Sequence, residues 1–153
     1  MARRQFSYVD PHYCRVMLVK DTVAVEGPPA ATPAGIVEAI WPKVELQPTE
    51  TIWTVVLDAR RRPLAFVQVS QGSLTSCLAF PREVFRPIWL ANGAAFVLVH
   101  NHPSSDPSPS PEDHALTRRM REVAEIMGTP IIDHIIIGTR TNFFSYAQSG
   151  WPN

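Results

Sequence analysis

Residues 94–113, AAFVLVHNHPSSDPSPSPED, join a short apolar run to a proline-rich loop and the start of a helix. The run over 94–99 is typical of a buried strand and leads into His100. Because residues two apart on a strand point to the same face, the imidazoles of His100 and His102 can aim at one place. Asp113, in the first turn of the helix, can bring a carboxylate oxygen there. Two histidines, one carboxylate and a fourth position open for water form the ligand pattern of a catalytic zinc site.

Helix capping is an alternative explanation for part of this segment. Ser110 is a favoured N-cap residue, Pro111 suits the first helical position, and Asp113 suits the third. Capping alone would therefore explain Ser110 and Asp113. It does not explain two histidines at the end of an apolar strand, so we favour the metal site and keep capping as the alternative.

Strand and helix signals alternate along the rest of the chain. The sequence predicts strands over residues 13–21, 22–26, 51–57, 64–69, 74–80, 94–99, 131–137 and 142–146, and helices over 33–41, 81–90 and 110–127. Both hairpin and crossover connections occur, so we expect an α/β fold, a single-domain mixed β-sheet flanked by helices. Residues 1–49 are expected to be an N-terminal strand and helix segment of the same domain, followed by its main part over 50–153.

Composition limits the class of protein. The 153 residues suffice for one well-buried core, and 14 basic residues balance 14 acidic ones, so no net charge attracts nucleic acid or an anionic membrane. Cys14 and Cys77 form no CxxC pair and are interpreted as free thiols of a reducing compartment. No apolar run reaches the length of a membrane span. We therefore expect a cytoplasmic protein without membrane association.

The 94–113 segment also resembles a known motif. A glutamate, then His-x-His, seven residues, Ser, two residues and Asp is the JAMM motif of the JAB/MPN metalloprotein superfamily. The stretches LD at 57–58, PREVF at 81–85, HNHPS at 100–104 and DHIIIG at 133–138 resemble its bacterial RadC-like branch, and the resemblance covers residues 50–151. It implies the JAB/MPN architecture, which is similar to that of cytidine deaminases.

The resemblance implies a role for each matching residue. His100, His102 and Asp113 would hold one zinc ion per chain. Glu50 would act as general acid and base on the water that the zinc activates, and Ser110 would donate a hydrogen bond to the oxyanion. The implied activity is that of a JAMM-type zinc metallopeptidase or isopeptidase, a hydrolase that cleaves an amide bond in a protein or in a ubiquitin-like-modified substrate.

Two positions around the motif depend on the comparison with the family pattern. Glu45 and Glu50 both precede the strand predicted over 51–57, and the offset of Glu50 from the LD pair agrees with the family, so we assign Glu50. Ser105 stands where the branch usually has glycine. Because serine tolerates positive φ poorly, we expect the loop to follow a different path there.

The other histidines near the motif have simpler interpretations. His134, beside Asp133, is interpreted as a hydrogen-bonded histidine at the start of a strand, with a place next to the metal as the alternative. His114 follows Asp113 on the helix. Because successive helical residues point about 100° apart, we expect His114 at the surface.

A binding module is the alternative to an enzyme. In that interpretation the chain is DNA-associated or mediates protein interactions, and its metal is structural. Longer RadC-like proteins carry a helical segment described as DNA-binding before this domain, whereas 49 residues precede Glu50, so nucleic acid is the less favoured partner. A cytidine deaminase is excluded because the chain has neither His-x-Glu nor Pro-Cys-x-x-Cys. A homodimer in which residues 1–49 make contacts is a further expectation.

Overall fold

The computed structural model describes residues 32–72 and 79–152. Within these ranges the elements are α1 (Pro33–Val44), β1 (Thr51–Leu57), β2 (Pro63–Gln71), α2 (Pro81–Leu90), β3 (Ala95–Asn101), α3 (Pro111–Ile126), β4 (Ile131–Ile137), β5 (Phe143–Ser145) and α4 (Tyr146–Ser149). The strands predicted over 13–21 and 22–26, most of the strand over 74–80, and both cysteines lie outside the described residues. The other predicted elements are present, and only α4 was not predicted.

The five strands form one sheet in the order β2-β1-β3-β4-β5. β1 pairs antiparallel with β2 and with β3, and β5 pairs antiparallel with β4. β3 and β4 are parallel, and α3 lies between them in the chain as the crossover connection. The predicted mixed β-sheet flanked by helices is therefore confirmed, with β3 in the centre and its C-terminal end leading toward the start of α3.

Helices cover both faces of the sheet. β1 and β3 are buried along their whole length, as central strands covered on both sides should be. One face packs against α1 and the other against α2 and α3. Because side chains alternate along a strand, Val97 and Val99 face α1, whereas Phe96 and Leu98 face α2 and α3. The same alternation places His100 on the α3 face and Asn101 on the α1 face.

Capping and proline placement explain where the helices begin. The Thr32 side chain accepts a hydrogen bond from the N–H of Gly35 at 3.2 Å, and Pro33 occupies the first helical position. The helix predicted over 33–41 continues past Pro42 to Val44. Pro42 lies in the last turn, so few backbone hydrogen bonds follow it. None of the helices in the described part of the chain has the length and apolarity that crossing a membrane requires.

α3 buries a more polar face than its apolar pattern predicts. Helical periodicity predicts six apolar side chains on the buried side. Leu116, Met120, Val123 and Ala124 do lie against the core, whereas Ala115 and Met127 are exposed. The buried residues of the helix are Asp113, Thr117, Met120 and Ala124. Hydrophobicity does not indicate the burial of Thr117, because the first turns of α3 pack against polar side chains at the end of the sheet.

Candidate metal centre

His100, His102 and Asp113 meet where β3 ends and α3 begins. His100 Nε2 lies 3.4 Å from Oδ1 of Asp113, and His102 Nε2 lies 3.5 Å from Oδ2. The ligand atoms of the three residues all lie within 4.8 Å of one another, a grouping that could hold a metal ion. The structure thus brings together the three residues that the sequence pattern placed at one point.

Asp113 serves the helix and the candidate site with one carboxylate. Its Oδ2 accepts hydrogen bonds from the N–H of Ser110 at 2.8 Å and from the Ser110 hydroxyl at 2.7 Å, while Ser110 Oγ accepts from the N–H of Asp113 at 3.1 Å. This reciprocal pair is a capping box. Capping and metal binding are therefore compatible explanations, because the cap holds the carboxylate while its two oxygens face the histidines.

Burial and neighbouring charges set the protonation of these groups. Burial lowers the pKa of His100 to about 4, so its imidazole is neutral at pH 7. Burial acts to raise the pKa of Asp113, but hydrogen bonding to His102 and to Ser110 holds it well below its usual range. His102 is different. Burial acts to lower its pKa, yet hydrogen bonds to Asp113 and to the Asp106 carbonyl raise the pKa above the ordinary value.

A chain of hydrogen bonds behind His100 determines which ring nitrogen carries a proton. Thr117 Oγ1 lies 2.6 Å from the carbonyl oxygen of Asp113 and 2.6 Å from Nδ1 of His134. Because a carbonyl only accepts, the hydroxyl hydrogen goes to Asp113, and the Nδ1–H of His134 donates to the hydroxyl oxygen. His134 is completely buried, and burial lowers its pKa well below the ordinary value. It is therefore neutral, and its Nε2 is an acceptor.

Nε2 of His134 lies 3.4 Å from Nδ1 of His100. The Nδ1–H of His100 donates to it, so the lone pair of His100 is on Nε2 and faces the ionised Asp113. Histidines that bind metals usually commit their other ring N–H in this way. A lone pair and a carboxylate that face each other are stabilised by a cation between them, so the residues present fit a metal ion. His134 is both the hydrogen-bonded strand histidine we expected and a contact of His100.

The sequence matches the family described as RadC-like JAB domain over residues 30–151, which is most of the chain. This chain belongs to the RadC-like JAB family. The resemblance found in the sequence is confirmed, and the observed α/β architecture is the one that it implies. The match begins before residue 50 and includes α1, which packs on the sheet.

Curated relatives of this RadC-like JAB domain carry the name UPF0758 protein. Those of Trichlorobacter lovleyi and Geobacter sulfurreducens are 48% and 46% identical over 101 residues, which is 66% of this chain and 44% of each relative. The relative from Burkholderia vietnamiensis is 33% identical over 123 residues, 80% of this chain and 47% of its own length. The chain therefore spans about half the length of the curated relatives it matches.

Glu50 lies close to the metal-ligand candidates of this RadC-like JAB domain. It is half-buried, directly precedes β1, and its charge helps to raise the pKa of His102. Glu45 is exposed at the C-terminal end of α1, and its charge acts instead on Arg140. The charge of Glu50 thus acts on a metal-ligand candidate, whereas that of Glu45 acts on Arg140. The assignment of Glu50 as the catalytic glutamate stays a prediction.

The loop after His102 is held closely against the end of β4. The N–H of His102 donates to the Ile137 carbonyl at 2.8 Å, and His102 Nδ1 lies 2.7 Å from the Asp106 carbonyl oxygen. A Cβ on Gly138 would lie 2.3 Å from the Ser105 carbonyl oxygen, so a side chain cannot fit there. Ser105 has a φ of 66°, in the left-handed region that favours glycine. Our expectation that serine would avoid this conformation is wrong, because the contact with Gly138 holds the loop in place.

His114 and Tyr146 pack beside the site through contacts that no sequence pattern indicates. His114 is half-buried rather than at the surface, and its Nδ1 lies 2.8 Å from the Tyr146 hydroxyl. The Tyr146 ring stacks on His134, with 5.2 Å between centroids and 16° between planes. Asp133 anchors this corner by accepting a hydrogen bond from the Ser145 hydroxyl at 2.6 Å. The surface prediction for His114 was wrong because α4 covers that side of α3.

Proposed function

We propose that this chain is a zinc-dependent hydrolase, a metallopeptidase or isopeptidase that cleaves an amide bond in a protein substrate. The grouping of His100, His102 and Asp113 carries the proposal, because three ligands leave a fourth position for water. These residues would hold one zinc ion, which when bound lowers the pKa of a water to roughly 7 and polarises a carbonyl. The neutral His100 and the ionised Asp113 are the forms that bind metals.

Glu50 and Ser110 supply the proton transfer and the hydrogen bond that amide hydrolysis needs. The Glu50 carboxylate takes a proton from the attacking water and returns it to the departing amine nitrogen. The Ser110 hydroxyl donates to Asp113 Oδ2 at 2.7 Å in the resting structure. We propose that this hydroxyl turns to the substrate oxygen as negative charge develops there, where a directed donor is most stabilising.

The proposed substrate is a protein or peptide in the cytoplasm, including one that carries a ubiquitin-like modifier. Membership of a JAB family supports this class of substrate. The equal numbers of acidic and basic residues, 14 of each, favour a protein over a nucleic acid, since binding to phosphates depends on an excess of positive charge.

Metal content tests the site. Protein stripped by a chelator, loaded with zinc and desalted should retain one zinc per chain by elemental mass spectrometry. His102→Ala and Asp113→Ala should each lose it. His114→Ala removes a neighbouring histidine that faces Tyr146 instead, and it should retain the metal. Full zinc occupancy in both ligand variants would refute the site.

Hydrolysis is tested with a library of linear peptides and of peptides branched through lysine ε-amides, with the products identified by mass spectrometry. The zinc-loaded chain should cleave one of the two amide types. Glu50→Gln should keep zinc and lose cleavage, whereas Glu45→Gln, a matched change outside the site, should keep both. Cleavage by Glu50→Gln at the rate of the unchanged protein would contradict the proposed mechanism and favour a structural metal in an interaction module.

A further inference from the structure

Asn101 lies between the two histidines of the site but on the opposite face of the sheet. Its side chain points to the α1 face, where Trp53 packs into the aliphatic core. The residue is 4% exposed, so its amide must find hydrogen-bond partners within the protein. None of the roles in the proposed hydrolysis uses this side chain.

The Asn101 amide binds the chain on both sides of Glu50. Its Oδ1 accepts from the N–H of Thr51 at 2.9 Å and from the Thr51 hydroxyl at 2.5 Å. Its Nδ2 donates to the carbonyl oxygen of Thr49 at 3.2 Å. The Thr51 oxygen also accepts from Trp53 Nε1 at 2.9 Å, so its single hydrogen is free for Asn101.

These contacts hold both peptide groups that flank the Glu50 Cα. The Thr49 carbonyl belongs to the peptide before Glu50, and the Thr51 N–H belongs to the peptide after it. The Glu50 carbonyl in the second peptide also accepts from the Gly72 N–H at 2.8 Å. With both peptide planes held, the direction of the Glu50 Cα–Cβ bond is determined. Thr51 and Asn101 meet on the α1 face, so alternation turns Glu50 to the face that carries His100.

We infer that Asn101 is a positioning residue that sets Glu50 against the metal-binding histidines. The inference rests on the proposed function, since it gives Asn101 its role through Glu50. An amide of this length is required because it offers an acceptor and a donor together. Aspartate keeps the acceptor but has no donor for the Thr49 carbonyl, and serine is too short to reach both peptides.

A double-mutant cycle with Asn101→Ser and Glu50→Gln tests the inference. Asn101→Ser should keep one zinc per chain and leave KM unchanged, while kcat falls about 100-fold, the effect of a displacement of about 1 Å at a reacting group. In the Glu50→Gln background the same change should cause no further loss of the residual cleavage rate. Asn101→Asp, which has nearly the same shape, should lower kcat by an intermediate factor and serves as the second variant if Asn101→Ser does not fold.

Cobalt gives a measurement that needs no substrate. The visible spectrum of the Co²⁺-loaded chain should depend on pH, and a carboxylate held near the ion should change the midpoint of that dependence. Glu50→Gln should shift the midpoint, Asn101→Ser should shift it in the same direction, and the double variant should match Glu50→Gln alone. Thr54→Val is the control. Thr54 lies on β1, as Thr51 does, and the change removes the buried hydrogen bond from its hydroxyl to the Val84 carbonyl while leaving the contacts of Asn101 intact. It should move neither kcat nor the midpoint.

The outcomes separate the inference from the proposed function. If Asn101→Ser leaves kcat and the midpoint unchanged, or lowers kcat equally with and without Glu50, the positioning role is overturned while the proposed hydrolysis stands. If Glu50→Gln moves neither readout, Glu50 has no part in the site, and both are overturned. A chain that binds neither zinc nor Co²⁺ overturns the proposed function, and the positioning role falls with it.

Discussion

The two histidines of the site are held in different ways. The His100 side chain is 3% exposed within β3, and its N–H is committed to the buried chain through His134 and Thr117. The His102 side chain is 12% exposed on a loop that forces a left-handed conformation on Ser105. Burial lowers the pKa of His100 to about 4, whereas polar neighbours raise the pKa of His102. One ligand candidate is therefore neutral over a wide pH range, whereas the other keeps its proton to a higher pH than an ordinary histidine.

Thr117→Val removes the hydroxyl that supports His100 through His134, and it should have the largest effect on metal binding. The variant has nearly the same shape but leaves the Nδ1–H of buried His134 without an acceptor, which costs about 1–3 kcal/mol of unfolding free energy. It also frees the tautomer of His134 and hence of His100, and loss of such an outer partner weakens metal binding about 10–100-fold. Competition with a chromophoric chelator measures the affinity, and urea unfolding measures the stability.

Thr117→Ser is the matched control because it keeps the hydroxyl and removes only a methyl group. It should retain the zinc affinity of the unchanged protein. Equal affinities for Thr117→Val and Thr117→Ser would show that the tautomer of His100 is set by something other than this chain of hydrogen bonds.

Gly138→Ala tests the loop that carries His102. The new Cβ would lie 2.3 Å from the carbonyl oxygen of Ser105 and 2.7 Å from its carbonyl carbon, so the loop must move. Overpacking of this kind costs about 1–3 kcal/mol, and zinc affinity should fall with it because the loop holds His102. Gly128→Ala adds the same methyl group in open space, at a positive φ of 61° that disfavours alanine, so it should lower stability without changing zinc affinity. Equal zinc affinities in Gly138→Ala and Gly128→Ala would show that the position of the loop does not affect zinc binding.

The difference between the histidines predicts the pH dependence of zinc binding. A raised pKa means that His102 holds its proton at higher pH than usual, and the metal must displace that proton. Affinity should therefore fall about tenfold per pH unit once the pH drops below the pKa of His102. His100 should add a second proton only near pH 4. Calorimetry in buffers of different ionisation enthalpy counts the protons released, and two protons per zinc at pH 6 would contradict the assignment.

The sequence predicts those parts of the site that depend on neighbours along the chain. Local periodicity predicts the buried strand over 94–99 and the shared direction of His100 and His102. Capping preferences predict the cap formed by Ser110. All of them appear in the structure, and the family pattern adds Glu50. Their roles in metal binding and catalysis stay predictions.

Contacts between distant residues could not be predicted from the sequence. Thr117 and His134 are separated by 17 residues, His100 and His134 by 34, and Thr51 and Asn101 by 50. Neither periodicity nor propensity carries information about such pairs. A polar residue that faces a buried site also looks like a surface residue in a pattern of hydrophobicity, which is why Thr117 was not expected on the inner face of α3.

Ser105→Gly should have the smallest effect, and its sign decides whether the loop is strained. A left-handed conformation costs a residue other than glycine about 1–2 kcal/mol. Glycine removes that strain but gains freedom in the unfolded chain, which offsets about 0.4–1 kcal/mol. The net result should be a stabilisation of roughly 0.5 kcal/mol, with zinc affinity unchanged because the backbone path is kept. Ser104→Gly, at a neighbouring position without positive φ, gains the unfolded-state freedom and also loses the hydrogen bond that the Asp106 N–H donates to the Ser104 hydroxyl at 3.4 Å, so it should be destabilised. If urea unfolding shows both variants to be destabilised, Ser105 is not strained, and the loop that carries His102 is as well prepared as the strand that carries His100.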